Sequence, residues 1–270
     1  MKSRWAVLAA VAALLACHFS TLSGMAAQWW NDEDMGHGFL VPIVIGWIVW
    51  NERRKWRLVP VQPSWWGFPL LIAGAALHFA AALGVGLFAA SVALLLSAAG
   101  AIICLAGIGR LRAWAFPLLL SLFMLPKLAF AYNLVTLPLQ LLASRMAAAM
   151  LSAGGIGVIR EGSILDVGGH RLAVAEACDG IRYLLPLGFM AVVLAYVMDP
   201  KAWMRVALLL VAVPLAIVAN AVRVAAAASI PALDSGTPHE TAGAVLFLIC
   251  LGALAAARQL FHAASARHHA

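Results

Sequence analysis

The sequence alternates between long apolar runs and short polar clusters. Apolar runs of roughly 17 to 25 residues recur along most of the chain, and a helix of that length crosses a hydrocarbon core about 30 Å thick. The pattern predicts an all-α polytopic membrane protein that forms one integral-membrane domain over residues 1–270. We expect eight transmembrane helices, at about residues 5–23, 38–50, 66–83, 87–108, 114–132, 181–198, 206–226 and 241–254.

The first apolar run follows a basic start and has two interpretations. Lys2 and Arg4 precede it, as in a secretory signal peptide or in a first anchored helix. Seven further spans follow, and Gly24-Met25-Ala26 is a poor cleavage site. The sequence therefore favours an anchored first helix.

One long connection, residues 133–177, separates the fifth and sixth predicted spans. Residues 134–152 carry leucine and methionine at helical spacing, interrupted by polar side chains. This spacing predicts a helix that lies at the membrane interface. A ninth span is the alternative, but it would invert the charge bias of the loops that follow.

The second part of this connection, residues 157–175, is rich in β-branched residues and contains the turn Gly168-Gly169. A two-residue glycine turn is typical of a tight β-hairpin. The predicted hairpin pairs Asp166 with Arg171 and Leu165 with Leu172.

Composition and charge agree with a membrane protein and give it an orientation. Hydrophobic residues make up 64% of the chain, charged residues 11%, and mean hydropathy is +0.97, which excludes a soluble globular domain. Twelve of the 18 basic residues fall on one set of loop ends, and nine of the 11 acidic residues fall on the other. By the positive-inside rule both termini are cytoplasmic and the connection 133–177 is outside. Because the net charge of +7 sorts by side in this way, it does not indicate a nucleic-acid partner.

The cysteines point to one candidate for thiol chemistry. Cys17, Cys104 and Cys250 lie within predicted spans, where a thiol packs as a small apolar group. Cys178 instead follows the outer connection, between the charged residues Glu176 and Asp179. A lone thiol in an oxidising compartment is a liability unless it is used, so we interpret Cys178 as a candidate nucleophile; an inert buried cysteine is the alternative.

Three further polar residues are predicted near the same side of the membrane. Arg223 falls near the outer end of the seventh span, where an arginine is costly unless it snorkels to the interface or meets an anion. Asn220 lies one turn earlier on the same face and can orient the guanidinium. His239 precedes the eighth span on the same side. Cysteine, arginine and histidine together would form a thiol active site.

Other familiar sites are missing from the sequence. His18 and His78 lie in apolar spans without companions at ligand spacing, so we assign no metal and no cofactor. The sequence has no nucleophile elbow, zinc-peptidase helix motif or phosphate-binding loop.

Taken in order, the motifs of this chain resemble those of exosortases, with archaeosortases as more distant relatives. The resemblance runs from about residue 30 to 250. Its motifs are His37-Gly38-Phe39-Leu40-Val41-Pro42, Gly154-Gly155-Ile156, Arg160-Glu161-Gly162, Val174 to Arg182, Asn220-x-x-Arg223 and His239-x3-Gly243-x3-Phe247. Two features depart from the family pattern: Asp179 follows the cysteine instead of a small hydroxyl residue, and paired prolines are missing around Pro126-Lys127.

The resemblance implies a multi-pass transpeptidase of the bacterial inner membrane whose active site faces the periplasm. Its partners would be the lipid bilayer and secreted proteins with a C-terminal PEP-CTERM type signal, which comprises a short motif, an apolar helix and a basic tail. The family is associated with exopolysaccharide and biofilm loci. Carried over by motif, Cys178 would form the acyl-thioester, Arg223 would donate a proton or bind the oxyanion, and His239 would be the third catalytic residue.

The residue types support this chemistry independently of the family resemblance. A nearby cation favours the thiolate that attacks a peptide carbonyl, and Arg223 can supply that charge. Arginine stays protonated, so His239 is the better proton carrier. We expect Asp179 to pair with Arg182, since an unpaired carboxylate would raise the pKa of the thiol. Arg182 or Arg160 can then meet the acidic residue of the substrate motif.

Two other functions remain compatible with the sequence. One is a noncatalytic membrane component of polysaccharide export, in which Arg223 and His239 line an anionic path and Cys178 only packs. The other is an intramembrane protease that hydrolyses the thioester without transferring the substrate.

Overall fold

The computed structural model describes residues 2–32, 34–174, 181–198, 201–234 and 236–267. The chain forms two compact units, Met1–Leu128 and Ala129–Ala270, and each is considered by itself. The predicted residues Glu176, Cys178 and Asp179 lie outside the described part of the chain.

All the regular secondary structure among the described residues of the first unit is helical. Single 3₁₀ turns, Gly36–Phe39 and Ser121–Met124, and one π-helical turn, Ala81–Val85, extend the α-helices. The α-helices are α1 (Lys2–Cys17), α2 (Phe19–Asn31), α3 (Leu40–Asn51), α4 (Arg53–Leu58), α5 (Gly67–Ala80), α6 (Leu87–Ala106), α7 (Ile108–Ala113) and α8 (Ala115–Leu120).

The first predicted span does not form one straight helix. Trp5–Cys17 and Phe19–Asn31 meet at an angle of 63°, and His18 lies at the break with φ −105° and ψ 17°. Helix continues to Asn31, beyond the predicted end at residue 23. Neither proline nor glycine is present at the break, so sequence pattern did not indicate it.

Helices α5 and α6 pack closely because glycines line their contact. A Cβ added at Gly67 would collide with the backbone of Gly100, and one at Gly74 would collide with the Ser97 hydroxyl. Helix α6 then ends at Gly107, whose φ of 92° is accessible mainly to glycine. Small residues of this kind let membrane helices approach each other's backbones.

The predicted span 114–132 is interrupted. Helix α8 and its 3₁₀ turn end at Met124, and Leu125 is extended, with φ −65° and ψ 141°. Pro126 explains the break, because it lacks an N–H group and disfavours helical geometry in the residue before it. The prediction of one continuous helix there was wrong.

The residues around this break are tied to the segment that follows α2. The ammonium of Lys127 forms ion pairs with the carboxylates of Asp32, at 2.8 Å, and Asp34. The ring of His37 bonds the carbonyl oxygens of Asp34 and Phe123, at 3.1 and 3.0 Å. Two non-helical stretches of the first unit therefore support each other.

The second unit contains four α-helices and a small sheet among its described residues. Its elements are α9 (Ala129–Ala153), β1 (Ile159–Glu161), β2 (Ile164–Val167), β3 (His170–Ala173), α10 (Ile181–Met198), α11 (Ala202–Ser229), a 3₁₀ turn (Pro231–Leu233) and α12 (Gly236–Arg267). Helix α10 has the bounds of the predicted sixth span. Helices α11 and α12 extend beyond the predicted seventh and eighth at both ends.

Two buried clusters hold the second unit together. In the first, α10, α11 and α12 meet through residues about one turn apart, including Leu187, Ala191, Leu208, Ala212 and Leu254. In the second, β2 and β3 pack on α9 and on the end of α11. Helix α11 therefore contributes to both clusters and connects them.

The sheet has the strand order β1-β2-β3 and is antiparallel. Gly168 and Gly169 form the β2–β3 turn with φ of 60° and 89°, as the two central residues of a type I′ turn require. Asp166 is opposite Arg171 and Leu165 is opposite Leu172, which are the two pairs expected from the sequence. The periplasmic location of this hairpin stays a prediction.

By length and composition, five of the described helices can cross a membrane, and the bent pair at the start would make a sixth. Three shorter apolar helices, Gly36–Asn51, Ala115–Met124 and Arg182–Met198, accompany them. The chain is therefore a polytopic helical membrane protein, while the total of eight spans stays a prediction.

The helix predicted at residues 134–152 is present within the longer α9. Tyr132–Ala153 is itself apolar enough and long enough to span a bilayer, although Pro138 lies inside it. The structure thus provides the helix, and both its interfacial placement and the alternative ninth span stay predictions.

Candidate active site

Arg223 is buried on α11. Only 5% of the residue is exposed, and its guanidinium carbon lies 5.5 Å from the centre of the Tyr183 ring. Among the described residues, Nε and Nη1 have no hydrogen-bond partner. A buried guanidinium with two unused N–H donors is costly on its own and is suited to binding an anion or a polarised oxygen.

Asn220 is buried one turn before Arg223, but it does not orient the guanidinium as expected. Its Oδ1, the side-chain atom that can accept a hydrogen bond from arginine, has no partner in the described part of the chain. Both side chains therefore leave polar atoms unpaired in one short stretch of α11. That is unusual in a folded protein and is typical of functional sites.

His239 lies in the first turn of α12 and is 8% exposed. Its Nδ1 is 2.7 Å from the carbonyl oxygen of Leu233. A carbonyl oxygen can only accept, so Nδ1 carries the proton and donates it to this bond. In the neutral ring Nε2 is then an unprotonated nitrogen, the form in which histidine acts as a base.

Arg223 and His239 line the same cavity, of about 230 Å³. The other lining side chains are apolar: Val222, Ala226, Leu233, Ala242, Val245, Leu246 and Ile249. Apolar walls reduce hydration, and electrostatic interactions are stronger in such a site than in water. Arg223 and His239, which the sequence predicted to lie near the same side of the membrane, thus share one cavity.

Tyr183 and Gly243 hold the guanidinium from the other side. The Tyr183 hydroxyl donates a hydrogen bond to the Gly243 carbonyl oxygen, at 3.2 Å. A Cβ at Gly243 would lie 3.3 Å from Cζ and Nη2 of Arg223 and from the Tyr183 hydroxyl. Gly243 belongs to the motif after His239, whereas Tyr183 carried no signal in the sequence beyond lying five residues after Cys178.

The described chain reaches this site on both sides of residues 175–180. Val174 is buried in the cluster that also contains Val224, the neighbour of Arg223. Tyr183, on the other side, lies against Arg223 itself. Tyr183 is therefore close to the arginine, and Val174 belongs to a buried cluster of which α11 is a part.

The other predicted binding residues are less directly connected to the cavity. Arg160 is exposed on β1 and donates to the carbonyl oxygen of Gly162, at 2.8 Å. Arg182 is half-buried at the start of α10. The expected Asp179–Arg182 pair and the predicted site residue Glu176 fall outside the described residues.

The remaining cysteines and possible metal ligands give no second catalytic centre. Cys250 is buried in the core of the second unit, as predicted for a packing thiol. Cys104 is half-buried and Cys17 is exposed. Within the described ranges, no group of three or more histidine, cysteine, aspartate or glutamate residues can hold a metal ion.

Fold and site together define a polytopic membrane protein with a buried arginine and a histidine at one apolar cavity. A model of the transmembrane exosortase family matches residues 29–256, most of the chain. The chain therefore belongs to the transmembrane exosortase family. No curated protein and no solved structure matches it.

Proposed function

We propose that this exosortase is a membrane-embedded cysteine transpeptidase. It removes the C-terminal PEP-CTERM type signal of secreted proteins and transfers them to an acceptor, in connection with exopolysaccharide and biofilm export. The observation that carries the proposal is the cavity shared by Arg223, whose Nε and Nη1 have no partner among the described residues, and His239, whose Nδ1 donates to Leu233 and leaves Nε2 unprotonated in the neutral ring. These are the two groups that acyl transfer needs beside a nucleophile.

Cys178 is the proposed nucleophile. It precedes Tyr183 by five residues, so chain connectivity limits the distance between their Cα atoms to roughly 18 Å. Because Tyr183 lies against Arg223, this limit allows the thiol to reach the cavity and so supports the proposal. The family match covers this segment and supports the same assignment.

The proposed reaction begins when Nε2 of His239 takes the thiol proton. The thiolate forms a bond to the scissile carbonyl carbon, and the carbonyl electrons move onto oxygen, where Arg223 donates hydrogen bonds to the oxyanion. When the oxyanion collapses, the C–N bond breaks and the leaving nitrogen takes the proton from Nε2. An amine or hydroxyl acceptor then attacks the thioester, transfers its proton to Nε2 and releases the thiolate.

Substrate binding and orientation follow from the same arrangement. The substrate's apolar helix packs among the small residues of the bundle, and its acidic motif residue meets Arg182 or Arg160. The charge asymmetry of the loops supports cytoplasmic termini and a site that faces the periplasm of a bacterial inner membrane. Exchanging the charges of the substrate residue and its arginine partner should restore processing.

The test is processing of a co-expressed reporter that carries a PEP-CTERM type tail. Wild type is compared with Cys178→Ala, with Cys178→Ser as a possible trap of the acyl-enzyme, and with Cys17→Ala as a matched control that also removes one thiol. We expect release of the processed reporter to be lost only in the two Cys178 variants, at equal protein levels. Unchanged cleavage in Cys178→Ala would overturn the mechanism and favour the noncatalytic role in polysaccharide export.

Hydroxylamine separates transfer from simple hydrolysis. A thioester that accepts nucleophiles gives a C-terminal hydroxamate on the cleaved reporter, in competition with the natural acceptor. Exclusive formation of the free carboxylate, with or without hydroxylamine, would identify a hydrolytic protease instead.

A further inference from the structure

A second cavity lies in the first unit and is lined by residues that are distant in the sequence from Arg223 and His239. Its volume is about 580 Å³, within the range of roughly 300–1,000 Å³ that small-molecule sites occupy. Helices α1, α5 and α6 line it, and its polar lining includes the imidazoles of His18 and His78. The family match begins at residue 29, so α1 and His18 are additions to the matched region.

The two imidazoles lie against each other without the hydrogen bonds that such groups require. Their ring centres are 4.4 Å apart in an edge-to-face arrangement. His18 is only 4% exposed, and Nδ1 of each ring is buried without a partner in the described chain. A neutral imidazole has one donor and one acceptor nitrogen, and leaving them unpaired in an apolar region costs free energy.

The backbone is also irregular at His18 and just after His78. The 63° bend between α1 and α2 is centred on His18, and the π-helical turn Ala81–Val85 begins three residues after His78. Irregular backbone at membrane depth is found where it lines a cavity. The stretch Ala81–Val85 is itself broken by Gly84, whose φ of 118° is not helical. His18 therefore lies at a departure from regular helix, and His78 lies within one turn of another.

The lining restricts the chemistry of an occupant. No lysine, arginine, aspartate or glutamate is among the described residues that line the cavity. A phosphate or carboxylate head would be buried there without a counter-charge, at a cost of several kcal/mol. A metal ion is not indicated, because the described residues supply no group of three ligands. A pure hydrocarbon chain would leave the imidazole nitrogens unpaired.

We propose that this cavity binds an uncharged lipid whose head carries a hydroxyl or carbonyl oxygen. The oxygen bonds the His18 and His78 imidazoles, and the apolar tail lies among α1, α5 and α6. Both long-chain alcohols and lipid-soluble quinones have this chemistry. The cavity shares no lining residue with the proposed transpeptidase site, and the proposal does not depend on that function.

The experiment uses the full-length protein in phosphatidylcholine nanodiscs and two photoactivatable probes, a diazirine-bearing dodecanol and the matching diazirine-bearing dodecane. Mass spectrometry locates the labelled residues. We expect the alcohol to label the cavity at least about tenfold more efficiently than the alkane, since one buried hydrogen bond is worth roughly this factor in affinity. Equal labelling by the alkane would overturn the proposal, because lipid tails alone would then fill the cavity.

Competition identifies the head group. Unlabelled dodecanol and decylubiquinone are added separately, and dodecyl phosphate serves as the charged competitor. Competition by dodecanol alone indicates an alcohol, competition by decylubiquinone alone indicates a quinone, and competition by both shows that the shared oxygen is recognised. Equal competition by dodecyl phosphate would contradict the requirement for an uncharged head.

Variants test the two imidazoles. His18→Phe and His78→Phe keep an aromatic ring but remove its nitrogens, and each should weaken the alcohol's competition about tenfold. His18→Gln, which keeps a donor and an acceptor, should retain most of the binding. His262→Phe, outside the cavity, is the matched control. Competition by the alcohol at the wild-type level in both His18→Phe and His78→Phe would overturn the proposal. If a variant does not fold, the comparison of the two probes on the wild-type protein still tests it.

Discussion

The hydroxyl of Tyr183 donates a hydrogen bond to the carbonyl oxygen of Gly243, 60 positions away in the sequence. This contact joins α10 to α12 beside Arg223 of α11, so three helices meet at one guanidinium. Any group at position 243 larger than hydrogen must push against that guanidinium. The geometry makes Gly243 a positioning residue.

Gly243→Ala should therefore lower the rate of reporter processing by about tenfold, because misplacement of a catalytic group by a fraction of an ångström has effects of this order. The matched control is Gly252→Ala on the same helix, where an added Cβ meets nothing within 4 Å. Processing rates and thermal unfolding are measured for both. Wild-type processing by Gly243→Ala would show that the guanidinium position is not critical.

Arg223→Leu should abolish processing without destabilising the protein. Loss of an oxyanion donor typically costs about 100- to 1,000-fold in rate. Burying a guanidinium with unpaired donors costs free energy, so its removal should leave the unfolding temperature equal or higher.

Arg223→Lys is the control for charge. Lysine keeps the positive charge but lacks the planar set of donors, so we expect most of the activity to be lost as well. A strongly destabilised Arg223→Leu would instead assign the arginine to the structure of the bundle.

A substitution can separate the roles of the two ring nitrogens of His239. In His239→Asn the side-chain amide can donate to the Leu233 carbonyl oxygen, as Nδ1 does, but nothing replaces Nε2. Stability should be close to wild type, and processing should fall about 100-fold or more. An active His239→Asn enzyme would mean that another group transfers the proton.

Lys127 should stabilise the first unit through its two ion pairs. Lys127→Met leaves the Asp32 and Asp34 carboxylates without this cation and should cost about 1–3 kcal/mol of unfolding free energy. The exposed Lys201→Met is the control. Chemical unfolding of the two variants in the same detergent measures the difference, and equal stability would contradict a supporting role.

The pH dependence of this effect has a definite sign. Burial lowers the pKa of Lys127, but the hydrogen bonds and charges of Asp32 and Asp34 outweigh it and raise the pKa above its ordinary value of 10.5. A raised pKa in the folded state stabilises fully below 10.5, and the contribution is lost as pH rises through the folded-state value. The stability difference between wild type and Lys127→Met should therefore stay constant from pH 7 to pH 9.

Local rules in the sequence account for several parts of the fold. The Gly168-Gly169 turn determined the strand register, because two central residues with positive φ leave only one pairing of the flanking strands. Most helices could be located from the apolar runs. A segment that crosses a membrane must satisfy its own backbone hydrogen bonds, and a helix does so. Pro126 was a sequence signal for the end of a helix, and the prediction of a continuous span over residues 114–132 did not take it into account.

Other features arise from contacts between distant residues and could not be read from a pattern. The bend at His18 has no proline or glycine to announce it, and Tyr183 meets Arg223 only because α10 and α11 pack together. Asn220, chosen by its helical spacing from Arg223, forms no bond with the guanidinium. Helical spacing fixes which face a residue shares, but the neighbouring helices decide what that face meets.

By itself, the sequence determined a polytopic helical membrane protein and its hairpin register, and it predicted that Arg223 and His239 lie near the same side of the membrane. Each of these depends on hydrophobic length, a turn or the order of successive helices, all of which are local properties. Only the tertiary structure decided that these two side chains share an apolar cavity, that Tyr183 and Gly243 enclose the guanidinium, and that His18 meets His78. These relationships depend on how side chains from separate helices pack, and packing is a property of the whole unit.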